Sequence, residues 1–279
     1  MKATELGGLA ETQEKTDRMP VLFVGHGSPM NAIEENEFSR AWRQLGQEIP
    51  RPKVILCISA HWETRGTHVT AMEDPPTIHD FGGFPRELFE TDYPAKGSPW
   101  LAAEARAAVK KAAVGMDSEW GLDHGCWGVL KQMFPKADIP VVQLSLDHFK
   151  PGRFHYELAK ELAPLRRKGV LILASGNLVH NLGKVEFAGG GPGDFNRHFG
   201  LDWALEASAL FRKLIEEDRH DELMDYRSLG AAAQLAVPTP EHYLPLLYAI
   251  AMKRPDEPIV FFNDAPVAGS LTMTSLRIG

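Results

Sequence analysis

The sequence predicts a single α/β domain, a three-layer α/β/α sandwich built on a mostly parallel mixed sheet. Three observations predict it. Short apolar runs rich in Val, Ile and Leu recur without polar alternation, the mark of strands covered on both faces. Amphipathic stretches of helical period lie between those runs, the βαβ rhythm of a parallel sheet. The length of 279 residues suits one large domain with a sizeable core.

The elements follow in order. Residues 1–19 are polar and mixed in charge and read as a flexible N-terminal tail; residues 20–279 read as the folded domain. The first strand, Val21 to Val24, stops at Gly25-His26-Gly27, where flanking glycines allow a sharp turn. A helix spans Glu37 to Ile49 after an Asn-rich approach, and a strand spans Val54 to Ser59. The alanine-rich segment Pro99 to Val114 reads as a helix, with Ser98 as its cap and Pro99 in its first turn. Strands at Val141 to Leu146 and Val170 to Ala174 bracket a helix at Gly152 to Lys168. Long helical patterns run over Phe195 to Arg219 and Pro240 to Lys253, the latter opening on Thr239-Pro240-Glu241. The last strand, Ile259 to Phe262, is followed by a segment that returns as a further strand, Ser270 to Ile278. The Gly-rich stretch at 189–195 reads as a loop, because it does not join a strand to a phosphate-facing helix.

Composition excludes several classes. The net charge is -7, and the short basic run Arg166-Arg167-Lys168 reads as a solvated helix face, so no nucleic-acid surface is expected. No apolar stretch approaches the roughly 20 residues that span a bilayer, so no membrane partner is expected. The two cysteines, Cys57 and Cys126, form no CxxC pattern; a reducing, cytoplasmic setting is expected. Ser28 and Ser175 lie in no GxSxG elbow, which argues against a serine hydrolase.

The histidines carry the chemistry. There are 11. His26, His61 and His180 each follow a strand. Ligands of open α/β sheets bind outside the carboxyl ends of the strands, so the three converge on one crevice. Any one of them alone reads as a hydrogen-bonded loop residue; three together read as a metal site, for which neutral imidazole is the commonest side-chain ligand. His124 and His242 each fit either a site role or a packing or capping role. His79, in the aromatic loop with Phe81 and Phe84, either lines a pocket or orders the loop. His155, His198 and His220 fall in polar helical stretches and are expected to be exposed.

Six stretches in this order, GHGSPMNAI, SAHWET, HDFGGFP, GLDHGCWGVLKQMFPKADIPVVQLSLD, SGNLVHNL and PTPEHYLPLLYA, resemble the extradiol ring-opening dioxygenases related to the catalytic subunit of protocatechuate 4,5-dioxygenase, and within them the 4,5-DOPA extradiol dioxygenase branch. The resemblance covers the chain from about Pro20 onward and makes 20–279 a catalytic domain. It implies a single non-haem divalent metal, Fe(2+) for activity, with Zn(2+) able to occupy the same site. It implies a catechol and O2 as partners and a muconic semialdehyde as product. His26 and His61 match the first two ligands, His180 the active-site base and His124 a further pocket histidine. The wider family supplies a glutamate as third ligand; in the DOPA branch a histidine stands there, which is His242 here, beside Glu241. Whether His180 is a base or a fourth ligand stays open at this level. Phe81, Phe84 and Trp127 form a candidate apolar wall for the ring, with His79 beside them. Two rival readings use the same cluster: a zinc hydrolase with Glu241 or His180 as base, and a non-catalytic metal-binding protein.

Overall fold

The computed structural model describes residues 18–187 and 194–279. Most of the tail expected at 1–19, and nearly all of the Gly-rich stretch at 189–195, lie outside the described residues. Arg18 and Met19 belong to the folded body: the Met19 N–H donates to the Arg166 carbonyl at 3.0 Å.

The central sheet has six strands. They are β1 (Val21–Gly25), β2 (Val54–Ser59), β3 (Val141–Gln143), β4 (Val170–Gly176), β5 (Ile259–Phe262) and β6 (Ser275–Ile278). Their order across the sheet is β3-β2-β4-β1-β6-β5. Four neighbours run parallel, and β6 and β5 close one side antiparallel. Alternate residues of each inner strand face opposite cores. Val21, Phe23, Leu56, Ile58 and Ile172 point to one; Leu22, Val24, Ile55, Cys57 and Leu173 point to the other. This two-sided burial is why the strand sequences show no polar alternation.

Helices cover both faces, which makes three layers. On one side lie α1 (Glu37–Glu48) and α3 (His124–Met133); on the other lie α2 (Pro99–Ala108), α4 (Gly152–Leu162), α5 (Asp202–Glu216) and α6 (Leu244–Ala251). The expected α/β/α sandwich is borne out. Helix starts are chemically marked. Asn36 and Ser39 form a reciprocal capping box on α1, Ser98 caps α2, and Asp123 caps α3 by accepting from the Cys126 N–H at 3.1 Å.

Several boundaries differ from the sequence expectation. The helix expected over Pro99 to Val114 stops at Ala108, and Val114–Asp117 pairs as a strand with Thr67–Thr70. The run Val141 to Leu146 splits: Leu146–Asp147 leaves the main sheet and pairs with Glu63–Thr64. The pattern Phe195 to Arg219 is helical only over Asp202–Glu216. The last helix begins at Leu244, so His242 lies in the turn ahead of it rather than in its first turn. Three expectations of exposure are corrected; one is His220, which is half-buried with its Nδ1 2.8 Å from the Tyr156 hydroxyl. His155 is fully buried, its Nδ1 3.0 Å from the Tyr248 hydroxyl. Arg166 is buried and makes a two-pronged pair with Glu257, at 2.6 and 2.9 Å.

Candidate metal centre

The strands that precede His26, His61 and His180 are neighbours in the sheet. Ser175 of β4 stands level with Ser59 of β2 on one side and Val24 of β1 on the other. Their carboxyl ends therefore open on one crevice.

His26 leaves β1 with its N–H on the Gly176 carbonyl at 3.1 Å. Of the two flanking glycines, Gly27 makes the turn, at φ 58°, a left-handed conformation that other residues adopt at a cost. The His26 carbonyl accepts from Asn31 Nδ2 at 3.1 Å, which fixes the backbone behind the ring. The Ser175 hydroxyl donates to the Gly125 carbonyl at 2.5 Å, so its oxygen accepts from His26 Nδ1–H at 3.0 Å. The proton of His26 is thus on Nδ1, and Nε2 presents a lone pair.

His61 stands two residues past β2, its N–H 3.2 Å from Ser59 Oγ. Its Nε2 lies 3.1 Å from His26 Nε2. Its Nδ1 is 3.3 Å from Asp80 Oδ2. His242 reaches the crevice because its carbonyl closes onto Gly176, where a Cβ would stand 2.1 Å from that oxygen. The same carbonyl accepts the Asn177 N–H at 2.8 Å. His242 Nδ1 donates to Glu241 Oε1 at 3.2 Å, which again leaves Nε2 bare. The His242 ring centre is 5.3 Å from that of His26 and 5.0 Å from that of His61. His26 and His61 are themselves 5.0 Å apart, so the three rings form a nearly even triangle.

His124 is the first residue of α3, with its ring 3.9 Å from that of His61. His180 stacks face to face on His242 at 3.5 Å and 7°. Its N–H is held by the Ala236 carbonyl at 2.8 Å. Two donor sets, His26/His61/His124 and His180/Glu241/His242, each have ligand atoms within 4.8 Å of one another. The His242 ring lies 5.3 and 5.0 Å from those of His26 and His61, so the second set borders the first.

The electrostatics keep four of these rings, those of His26, His61, His180 and His242, neutral. Burial first, then the neighbouring imidazoles, lowers His26 and His242 well below the usual histidine value. The same causes bring His61 to about 3 and His180 to about 4. Burial alone would raise the Asp80 carboxyl; the side-chain and backbone N–H groups of His124, and the pull of the His124 and His61 imidazoles, outweigh it and hold Asp80 at about 2. Neutral imidazoles are metal-ready ligands. With both ring protons on Nδ1, the two Nε2 lone pairs facing at 3.1 Å repel unless a cation sits between them. The spacing matches adjacent ligands of one metal at the usual Zn–N length of about 2.0–2.1 Å.

The cavity beside the imidazoles has a volume of about 290 Å³. His26, His61, His124, His180 and His242 line it, with Phe81 and Phe84 as an apolar wall. Two residues singled out in the sequence stand elsewhere. Trp127 is buried beneath the wall, its Nε1–H on the Ile78 carbonyl at 2.9 Å. His79 turns away, its Nε2 2.8 Å from the Thr91 carbonyl. Glu241 contacts His242 Nδ1, and Thr239 Oγ1 donates to the same carboxylate oxygen at 2.9 Å. Sequence reasoning missed Asp80, Ser175 and Phe195, the last of which also lines the cavity. Asp80 had a visible signal, a lone acid between His79 and Phe81 in an otherwise aromatic loop.

The profile described as the catalytic LigB subunit of aromatic ring-opening dioxygenase matches residues 20–267. The chain belongs to that family. The relatives agree. This LigB-family chain is 47% identical, over 94% of its length and 95% of the relative's, to an Escherichia coli (strain K12) protein named 4,5-DOPA dioxygenase extradiol. A Beta vulgaris protein of the same name is 36% identical over 82% of this chain and 85% of its own. The crystal structure of an uncharacterized protein from Escherichia coli K12 matches with a TM-score of 0.79 at 41% identity, covering 94% of this chain and 100% of that one. The family expected from the six motifs is borne out, and with it a ring-opening dioxygenase as the enzyme class. Among the described residues of this LigB-family enzyme, no helix is long and apolar enough to cross a membrane.

Proposed function

We propose that the protein is an extradiol dioxygenase that opens the ring of a DOPA-like catechol, 4,5-fashion, beside its two hydroxyls. The carbon–carbon bond next to one hydroxylated carbon breaks. One oxygen atom of O2 enters the new carboxylate and the other the new aldehyde, giving a muconic semialdehyde. The observation that carries the reading is the meeting of five imidazoles with a phenylalanine wall in a cavity of about 290 Å³, a size suited to a small aromatic diol. The printed names of the relatives support the 4,5-DOPA assignment.

His26, His61 and His242 would hold one non-haem metal, Fe(2+) for turnover, with their Nδ1 atoms facing Ser175, Asp80 and Glu241. When bound, iron supplies a redox-active centre with open positions for diol and dioxygen, whose direct reaction is slow for spin reasons. Zinc suits the same imidazoles but has no second oxidation state, so the zinc form is inactive. The chain's own groups do the rest. His180 takes the proton of a diol hydroxyl at its free ring nitrogen. Burial and His124 keep it at about 4; an anionic diol alongside favours the imidazolium and raises it toward the range a general base needs. His124 lines the same cavity and offers its second ring nitrogen as a hydrogen-bonding group beside His61. Phe81 and Phe84 pack against the ring and exclude water. The enzyme works in the cytoplasm, a setting suited to two thiols in no disulfide framework.

The test is anaerobic loading with iron(II), then addition of O2 and a panel of catechols. The expected result is stoichiometric oxygen uptake with a yellow semialdehyde product. No uptake with any catechol, together with ester or amide cleavage by the zinc form, overturns the reading in favour of a hydrolase.

A further inference from the structure

We propose that Asp80 is a positioning residue that fixes the ring proton of His61 and of His124 at once, and so keeps His61 Nε2 free for a cation. The inference rests on the reading of His61 as a metal ligand.

One carboxylate oxygen serves both rings. Asp80 Oδ2 lies 3.3 Å from His61 Nδ1 and 3.0 Å from His124 Nδ1. His124 Nδ1 makes no aligned hydrogen bond among the described residues, so its contact with this oxygen is one of charge and proximity. The other oxygen, Oδ1, accepts the His124 backbone N–H at 2.9 Å, where α3 starts. An ionised carboxylate accepts and never donates, so each facing Nδ1 is held as N–H. The remaining nitrogen, Nε2, is then a lone pair, and in His61 it is the atom 3.1 Å from His26 Nε2.

The carboxylate has little room to swing away, because its loop is fastened at several points. The Ile78 N–H donates to the Leu122 carbonyl at 2.7 Å, and the Ile78 carbonyl accepts from Trp127 Nε1–H at 2.9 Å. His79 is tied to the Thr91 carbonyl. This gives His79 and Trp127, neither of which lines the cavity, a shared function: they hold the residue between His79 and Phe81 in place.

The decisive variant is D80N. It keeps the shape but replaces Oδ2 with an amide donor if the bond to the His124 N–H is kept. A donor facing Nδ1 demands a lone pair there, which sends the His61 proton to Nε2 and blocks the ligand atom. A residue that only fills space predicts that D80N behaves as wild type and that D80A is worse. The positioning role predicts the reverse order, with D80N worse than D80A.

The experiment uses metal-free wild type, D80N, D80A and H61A, with 15N-labelled histidine. Long-range 1H–15N spectra report which ring nitrogen carries the proton, and competition with a chelator gives the Zn(2+) affinity. We expect Nδ1–H on His61 in wild type and Nε2–H in D80N. We expect D80N to bind zinc about 10–100-fold more weakly than wild type, with D80A between them. Wild-type tautomer and affinity in D80N, or weaker binding by D80A than by D80N, overturns the proposal. If D80N does not fold, loss of the Nδ1–H preference in D80A supports the proposal and its retention overturns it. Unchanged zinc affinity in H61A overturns the ligand reading itself, a failure distinct from that of Asp80.

Discussion

Ser175→Ala removes one oxygen from the middle of the sheet and should be felt at the metal. Ser175 and His26 are both buried, and the hydroxyl is the acceptor for His26 Nδ1–H at 3.0 Å. Without it that donor is left unpaired, a cost of about 1–3 kcal/mol in the metal-free protein. The Gly125 carbonyl loses a donor too, but it sits in the first turn of α3, where the helical ladder still serves it. The second effect is on the ring proton. Freed from Ser175, His26 is no longer held with Nε2 bare, and metal affinity should fall about 10–100-fold, which is ~1.4–2.7 kcal/mol. A ligand that binds only the folded form stabilises it in proportion to the logarithm of its affinity. The destabilisation of S175A should therefore be larger with saturating metal, about 2–6 kcal/mol, than without it. Urea unfolding of wild type and variant, each with and without Zn(2+), measures all four stabilities. Equal deficits in both conditions would show that Ser175 only ties the sheet to α3, and would refute its role in setting His26.

Three further outcomes follow from the same geometry. Gly176→Ala puts a methyl 2.1 Å from the His242 carbonyl, so the turn carrying His242 must retreat; overpacking of about 1–3 kcal/mol and a marked loss of metal affinity are expected by urea titration and chelator competition. His180→Ala should keep metal affinity within a few fold and lower ring opening about 10²–10⁴-fold, read as oxygen uptake; loss of metal instead would make His180 a ligand. His155 is held by burial at about 4, below its unfolded value of about 6.5, so the unfolded chain takes up the proton first. Its contribution to stability is full above pH 6.5 and falls as pH drops toward 4, by ~3 kcal/mol in all; chemical denaturation at pH 7 and pH 4.5 of wild type and H155Q should show a shallower fall in the variant.

What the sequence made legible was what repeats locally. β1, β2 and β4 are buried on both faces, so their residues are apolar throughout and the runs announce themselves. The histidines after them were visible for the same reason: each breaks a run at its end. Boundaries set by tertiary contact were not visible. The alanine-rich helix stops at Ala108 because the chain must turn to pair Val114–Asp117 with Thr67–Thr70, and helical periodicity carries no trace of that. His155 and Arg166 lie in polar surroundings along the chain, yet face Tyr248 and Glu257, partners far along the sequence. Asp80 and Ser175 escaped for the same cause. Ser175 matters because strand register sets it between Ser59 and Val24, and register is a property of the sheet, not of any one strand.

The three candidate ligands share one device drawn from three unrelated places. A strand serine takes the Nδ1 proton of His26, a loop aspartate faces Nδ1 of His61, and the adjacent glutamate takes that of His242. Each partner is an acceptor toward the ring and leaves Nε2 as the lone pair; those of His26 and His61 face each other at 3.1 Å. The arrangement is unfavourable by itself, because neutral rings crowded at about 5 Å turn their electron-rich atoms on one another. Burial prevents the simplest relief, protonation, by lowering these imidazoles below the usual range. The remaining relief is a divalent cation. Metal binding then adds to folding stability, and it releases few protons at neutral pH, because the ligands are already deprotonated.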